Sequence, residues 1–336
     1  MLSSYTLEPA SGIGVPTARG LIEGLAAHAL ELDRDYALLV SHANSLGDHE
    51  AALRRWLRDG VELLFSGGTP ACAMLQRVLD ETGERRPVVY FGAHPIDGAH
   101  EVALDDCLRD DTAGVRIELP LTYTPQNFTI LRRLFPDLER VHIPFARSTA
   151  FCHRAMGERY DRVTAARGPR AWAKGDEVGF RSLRDLAWVI DADYDEYPLR
   201  SADDLEAALG AIPPRAIDEP MRDVVVAFND TYHVAGSPHA LLRWSHASNV
   251  PLVWVNNASM VPAGAVADFC NPFQRVAAHA ATYVKEFLTG EWPRGRRTIE
   301  WSHDTHFSLH RARYLALGGA KDRLASASRR FHEIVG

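Results

Sequence analysis

Five apolar runs in this chain each give way, on the C-terminal side, to a short polar cluster able to hold a small ligand. Leu63–Phe65 leads into Ser66-Gly67-Gly68-Thr69-Pro70, and Val88–Phe91 into Gly92-Ala93-His94-Pro95. Val141–Phe145 leads into Ala146-Arg147-Ser148-Thr149, Val224–Phe228 into Asn229-Asp230-Thr231, and Leu252–Val255 into Asn256-Asn257. Amides, hydroxyls and a few charges of this kind suit binding better than bond-breaking, and no acid/base pair can be assembled from them. The repetition is the signal, because any one cluster alone would be an ordinary turn.

Two clusters carry local chemistry. Thr69 at the N-cap and Pro70 at the first helical position start a helix straight after a strand, with Gly67 and Gly68 letting a ligand approach the backbone. Free N–H groups at such a helix start attract a carboxylate or phosphate, although Thr-Pro also begins many helices that bind nothing. Asp230 either pairs with a ligand ammonium or caps the turn that follows it.

Other patterns lead nowhere. Gly12-Ile13-Gly14 lacks the spacing to Gly20 that a dinucleotide fingerprint needs, and the second strand ends in Ser41-His42 rather than an acid. His303, His306 and His310 have no intervening glutamate in the metalloprotease arrangement. Asp191, Asp193 and Asp195 open like a calcium loop, but Glu196 stands where its glycine belongs and Ala202 where its last ligand belongs, so a solvated loop before a helix capped by Ser201 is expected. No Ser or Cys stands in a nucleophile turn. Cys72, Cys107, Cys152 and Cys270 have no metal-ligand spacing and read as free buried thiols, though disulfide pairing is the alternative. No cofactor, no metal and no catalytic residue is expected.

These clusters need elements to position them. Runs so short and β-branched are buried parallel strands, and ligands bind outside the carboxyl ends of such strands. The alternation predicts strands at Tyr36–Val40, Leu63–Phe65, Pro87–Phe91, Arg140–Phe145, Leu186–Asp191, Val224–Phe228, Pro251–Val255 and Arg297–Trp301. Helices are predicted between them at Thr17–Leu32, His49–Arg58, Pro70–Thr82, Thr124–Phe135, Thr149–Arg167, Ala202–Leu209, Pro238–Ser248 and Phe273–Leu288, with a last one at Leu309–Leu317. The fold class is α/β, two doubly wound parallel-sheet lobes with a ligand cleft between them. At 336 residues the chain exceeds what one core organises. Residues 1–115 plus 262–292 are expected to form an N-terminal lobe, and 116–261 plus 293–336 a C-terminal lobe. The net charge of −7 and the lack of any basic tract argue against nucleic acid. No apolar stretch is long enough to cross a bilayer, and no signal peptide opens the sequence.

With these segments in view, the chain resembles the ABC-transporter substrate-binding proteins of the type I periplasmic-binding fold. The branch is the one thought to bind aromatic and other amino acids, which also supplies sensor domains of histidine kinases. The resemblance rests on residues 61–71, 87–93 and 131–145, on Asn229-Asp230-Thr231, and on 251–255, 264–290 and 311–318. It implies a binding protein, not an enzyme, that captures an amino acid or related carboxylate for a permease or sensor kinase, as a monomer or weak dimer. Thr69, with Gly68, would serve the ligand carboxylate and Asp230, with Asn229, its amine; Arg147, Ser148 and Asn257 would line the second lobe. His94-Pro95 replaces the family's Asp-Pro, and Asp111-Thr112-Ala113-Gly114 its Asn-Val-Thr-Gly crossover, which favours a more acidic ligand at His94. A periplasmic or extracytoplasmic location is implied, with a native start upstream of Met1; without a signal peptide, a cytoplasmic ligand-sensing module is the alternative, and an isomerase or lyase using the same cleft is another.

Overall fold

The computed structural model describes residues 2–3, 14–41, 46–67, 69–93, 110–117, 125–146, 191–199, 201–228, 238–255, 260–270, 272–302, 306–329 and 331–336. The chain divides into two compact units, Met1–Glu118 with Asn271–Asp304, and Leu119–Cys270 with Thr305–Gly336. The divisions therefore fall at 118/119, 270/271 and 304/305. The expected divisions at 115/116, 261/262 and 292/293 assign strands 267–270 and 297–302 to the opposite units.

Unit 1 is built on a parallel sheet ordered β1-β2-β3-β4-β10, where β1 is Leu2–Ser3, β2 Leu64–Gly67, β3 Val88–Ala93, β4 Thr112–Ile117 and β10 Arg297–Ser302. Strand alternation sends successive residues to opposite faces. Phe65, Val89, Phe91, Ala113 and Val115 meet helices α1 (Gly14–Ala27) and α7 (Phe273–Leu288), while Leu64, Val88 and Tyr90 meet α2 (Leu46–Arg58) and α3 (Thr69–Thr82). Helix α7 buries Phe273, Val276, Ala277, Ala280, Ala281 and Val284, one apolar stripe at helical spacing, and Gly290 at φ +75° follows its end.

Helices α1 and α7 meet backbone to backbone. A Cβ on Gly20 would lie 2.1 Å from the Gln274 carbonyl oxygen, and one on Gly24 2.7 Å from both the Ala278 carbonyl oxygen and the Ala281 Cβ. Beyond α7, the Arg296 guanidinium sits over the rings of Tyr283 (4.7 Å) and Trp292 (5.3 Å) and pairs with Glu286, fixing the approach to β10. On the outer surface Glu50, Arg54, Glu81 and Arg77 close a ring of alternating charge between α2 and α3. Hydrogen bonds from Arg77 hold the Glu50 carboxyl, and from Arg54 the Glu81 carboxyl, below the usual range.

Unit 2 carries a seven-stranded sheet ordered β12-β11-β9-β8-β7-β5-β6. Its strands are β5 Arg140–Ala146, β6 Asp193–Leu199, β7 Asp223–Phe228, β8 Leu252–Val255, β9 Ala267–Cys270, β11 His306–His310 and β12 Glu333–Val335. All neighbours are parallel except β9 and β11, which pair antiparallel from His306↔Cys270 to Leu309↔Ala267 and stack Phe269 edge-on against Phe307 at 5.2 Å. Val141, Ile143, Val224, Val226, Val253 and Val255 pack with α4 (Pro125–Leu134), α8 (Arg311–Ala316) and α9 (Lys321–Ser328). Val225, Ala227, Leu252 and Trp254 pack with α5 (Ala202–Gly210) and α6 (Pro238–Ser248). The fully buried Tyr314 donates its hydroxyl to the Leu134 carbonyl at 2.9 Å, tying α8 to α4.

Several elements differ from expectation. Tyr36–Val40 forms no ladder, only an isolated bridge between Leu32 and Tyr36, yet Tyr36, Leu38 and Val40 pack on the core: the alternation is real without the hydrogen bonds. Asp193 and Asp195 lie in β6, one strand residue apart, so the calcium-loop spacing is strand alternation. The sixth strand is thus 193–199; the expected strand's residues 186–190, and the helix expected at 149–167, lie outside the described residues. Residues 112–117 form strand β4 rather than a bare crossover. Residues 309–310 belong to β11 and precede α8. Ser201 does cap α5, its hydroxyl accepting from the Asp204 amide. Among the described residues no helix is long and apolar enough to cross a membrane.

Replacing Gly24 by valine forces methyls into the α1–α7 contact and should destabilise unit 1 by about 1–3 kcal/mol, the usual range for overpacking. Tyr314→Phe, which leaves the Leu134 carbonyl without its donor, should cost about 1 kcal/mol. Urea unfolding followed by tryptophan fluorescence measures both.

Candidate functional site

The carboxyl edges of the two sheets are where the polar clusters begin. In unit 1, β2 and β3 run side by side with Gly67 opposite Phe91, and α3 opens at Thr69, two residues after the last residue of β2. The first N–H groups of this 14-residue helix have no partners within the helix, so they and its positive end lie at the strand terminus. In unit 2, β8, β7 and β5 are consecutive and parallel, with Phe228 opposite Val255 and Val225 opposite both Leu252 and His142. Their carboxyl ends at Val255, Phe228 and Ala146 therefore form one edge.

Of the candidate ligand residues, Thr69 lies at the first position of α3 and not at its N-cap, with Pro70 at the second position, because the helix begins one residue earlier than expected. Gly68, His94, Arg147, Ser148, Asn229, Asp230 and Asn257 lie outside the described residues. In sequence they follow strands β2, β3, β5, β7 and β8, so the topology groups the strands that precede them into two sets, β2 with β3 and β8-β7-β5.

The sheet end before α3 is packed on the face away from that helix. Phe65 and Phe91 stack at 4.6 Å, and a Cβ on Gly67 would fall 1.9 Å from the tip of the Phe91 ring. Gly67 is glycine because an aromatic ring from the next strand occupies that space; approach of a ligand to its backbone is not what requires it. Cys72, one turn into α3, lies 3.7 Å from both the carbonyl and the hydroxyl oxygens of Ser66, and both residues are buried. Burial pushes its thiol up to about 12, the mark of an inert packing cysteine rather than a nucleophile. Cys270 is likewise a buried thiol outside any disulfide among the described residues, while Cys107 and Cys152 lie outside the described residues.

Two buried polar groups were not foreseen. His142, within the apolar run of β5, places Nε2 2.8 Å from an Asp223 carboxylate oxygen and Nδ1 2.9 Å from the Tyr197 hydroxyl, with Asp195 at 3.8 Å. Burial, then Asp195, raises the Tyr197 phenol above its usual range. The only signal in the sequence was a histidine inside Val141-His142-Ile143. Arg313 of α8 is also buried and donates to the Ser245 carbonyl at 2.8 Å. Among the histidines weighed for metal, His310 instead accepts from the Arg313 amide and caps α8, and His303 lies outside the described residues. Among the described residues no set of three His, Cys, Asp or Glu side chains is placed to hold a metal ion.

No family model matches the sequence, and no curated protein matches it significantly either. Solved structures do. A conserved domain protein from Vibrio cholerae O1 biovar El Tor shares the fold over 99% of this chain and 98% of its own, at a TM-score of 0.69 and 17% identity. An ABC domain in complex with L-Trp from Streptococcus pneumonia matches over 99% of both chains, at 0.66 and 12%. The transcription regulator CcpA of Lactococcus lactis matches over 91% of this chain and 95% of its own, at 0.53 and 13%. The fold is therefore type I periplasmic-binding-like.

Cys72 should resist iodoacetamide at pH 8 in the folded protein and react once it is unfolded, as peptide mass mapping would show. Because its thiol stays protonated when folded, the stability it contributes is complete below the pKa of an unfolded thiol, about 8.5, and declines as pH rises from there. Cys72→Ala should flatten that alkaline loss in a stability–pH profile.

Proposed function

We propose that this chain is a ligand-binding protein that captures a small polar metabolite, an amino acid or related carboxylate, through the residues that follow its parallel strands. The observation that carries the reading is the start of α3 at Thr69, two residues past the end of β2 at the sheet's carboxyl edge. A helix start presents positive potential to an anion, and a carboxylate is the charge that amino acids share. In this reading Gly68 and Thr69 take the carboxylate, Asn229 and Asp230 the amine, and His94, Arg147, Ser148 and Asn257 the remainder of the ligand. The fold also occurs in a domain solved with L-Trp, which supports an amino acid as the ligand class. Binding rather than turnover is the role, and delivery to a permease or sensor kinase outside the membrane is the use we infer for it.

Calorimetric titration with a panel of amino acids, L-Trp included, against neutral sugars tests the class. Amino acids should bind and sugars should not; a sugar binding while all amino acids fail would overturn the reading. Asp230→Asn should cost about 2–5 kcal/mol of binding, as truncation of a buried charge pair does. Thr69→Ala should weaken affinity by more than it lowers fold stability, because Thr69 is the first residue of α3 and not its cap. Equal affinity in both variants would remove the two assigned contacts.

A further inference from the structure

A second site lies on unit 2, on the outer side of α6. His239, Leu242, Arg243, His246 and Ala247 fall on one helical face, and with Ala263 of the turn 260–264 they line a cavity of about 560 Å³. That volume is within the range of small-molecule sites. The C-terminal end of α6 leads through residues 249–251 into the first residue of β8, so His246 and Ala247 stand toward the amino edge of the sheet. The cavity's end there is opposite the strand termini discussed above.

Its charge is one-sided. Among the described residues no carboxylate lines the cavity, in a chain whose net charge is −7. Arg243 is exposed and makes no ion pair among the described residues. Behind His246 lies Arg313, 9% exposed, which gives one N–H to the Ser245 carbonyl while its Nε has no partner, and no carboxylate among the described residues neutralises it. The next cation, Arg215, spends its donors on the carbonyls of Asn249, Ile217, Glu219 and Leu317; the Asp218 and Glu219 carboxylates lie near Arg215, and neither forms an ion pair with Arg313 among the described residues. His246 itself is held in place: Gly264, at φ +121°, comes so close that a Cβ there would lie 2.5 Å from the imidazole Nε2.

We propose that this cavity binds a phosphomonoester, its phosphate held by Arg243 and His246 with the buried Arg313 supplying unneutralised positive potential behind them. Guanidinium and imidazolium groups are the donors that phosphate oxygens accept from most strongly, and an uncompensated buried cation is costly unless an anion approaches it. The groups that face His246 are His239 and Arg243 on its own helix and His310 and Arg313 from β11 and α8. Burial, then Arg313 and His310, keeps the His246 pKa below the usual histidine range, so the free cavity holds a neutral imidazole near pH 7. Arrival of a dianion reverses that preference, so binding takes up a proton and tightens as pH falls.

The test uses the full chain with glycerol 2-phosphate, inorganic phosphate, sulfate and glycerol as probes, following the His246 ring resonance by NMR and affinity by calorimetry. Glycerol 2-phosphate should raise the His246 pKa and bind, while glycerol should do neither; inorganic phosphate binding as tightly as the ester would restrict the site to the free ion and overturn the ester assignment. Sulfate, whose charge is constant near neutral pH, should bind more tightly at pH 6 than at pH 8, and His246→Gln should remove that dependence. Arg243→Ala, at an exposed position, should leave the melting temperature unchanged and weaken phosphomonoester binding about tenfold or more, the loss expected of one charge-assisted contact. An unmoved His246 resonance, or the same affinity in Arg243→Ala, would overturn the proposal.

Discussion

The contact between α1 and α7 is the constraint on which unit 1 depends. These helices come from opposite ends of the unit's sequence, and between them they cover one whole face of its sheet. Gly20 and Gly24 bring α1 against the α7 backbone at Gln274 and Ala278, and Ala277 and Ala281 keep the facing surface small. Larger residues at these positions would move α7 outward and lift Val276, Ala280 and Val284 from Phe65, Val89 and Val115, since close-packed cores have no slack to absorb the displacement. The order of β4 beside β10 follows from the same contact, because α7 delivers the chain to β10. The edge where α3 begins therefore rests on a helix pair that includes none of the proposed ligand residues.

In both units the sheet acts as a platform because both faces are sealed. Val225 and Val226, or Val88 and Val89, are adjacent in sequence and buried on opposite sides. A strand with both faces occupied leaves its polar chemistry only at its ends, which is why the polar clusters follow the strands and do not interrupt them. His142, Asp268 and Ser308 are buried within strands, and His142 obeys the rule for buried polar groups: both its ring nitrogens have partners, Asp223 and Tyr197.

The architecture was legible where burial wrote a pattern into the sequence. The strands ending at Gly67, Ala93, Ala146, Phe228 and Val255 and the stripe of α7 follow from residue type and period alone. Three things were not. Tyr36–Val40 has strand alternation without a ladder, because alternation reports which side chains are buried and not which amides are paired. The acidic 191–195 segment is solvated as read, yet residues 193–195 belong to β6 and not to a loop, and Arg140 on the neighbouring strand lies 4.0 Å from Asp193 and 3.4 Å from Asp195, a pairing visible only once the sheet order is known. Strands β4, β9 and β12 are too short or too mixed to stand out locally. At the candidate site the strand ends were legible, while the reason for Gly67 was not: it depends on Phe91, which is distant in sequence and adjacent only in the sheet.

The antiparallel ladder of β9 with β11 has a topological consequence. Cys270 and His306 stand opposite each other in that ladder, although the sequence between them leaves unit 2 to supply α7 and β10 to unit 1. Unit 2 therefore holds both ends of this excursion together, and in its own terms β9 and β11 are the arms of a hairpin whose turn has been expanded into a guest segment. A tight two-residue turn in place of the guest would close that hairpin by the commonest route known for adjacent antiparallel strands. The excised segment would then be a separate piece that unit 1 lacks, and the two units become separable into one self-contained chain and one that is completed only when α7 and β10 are added back from outside.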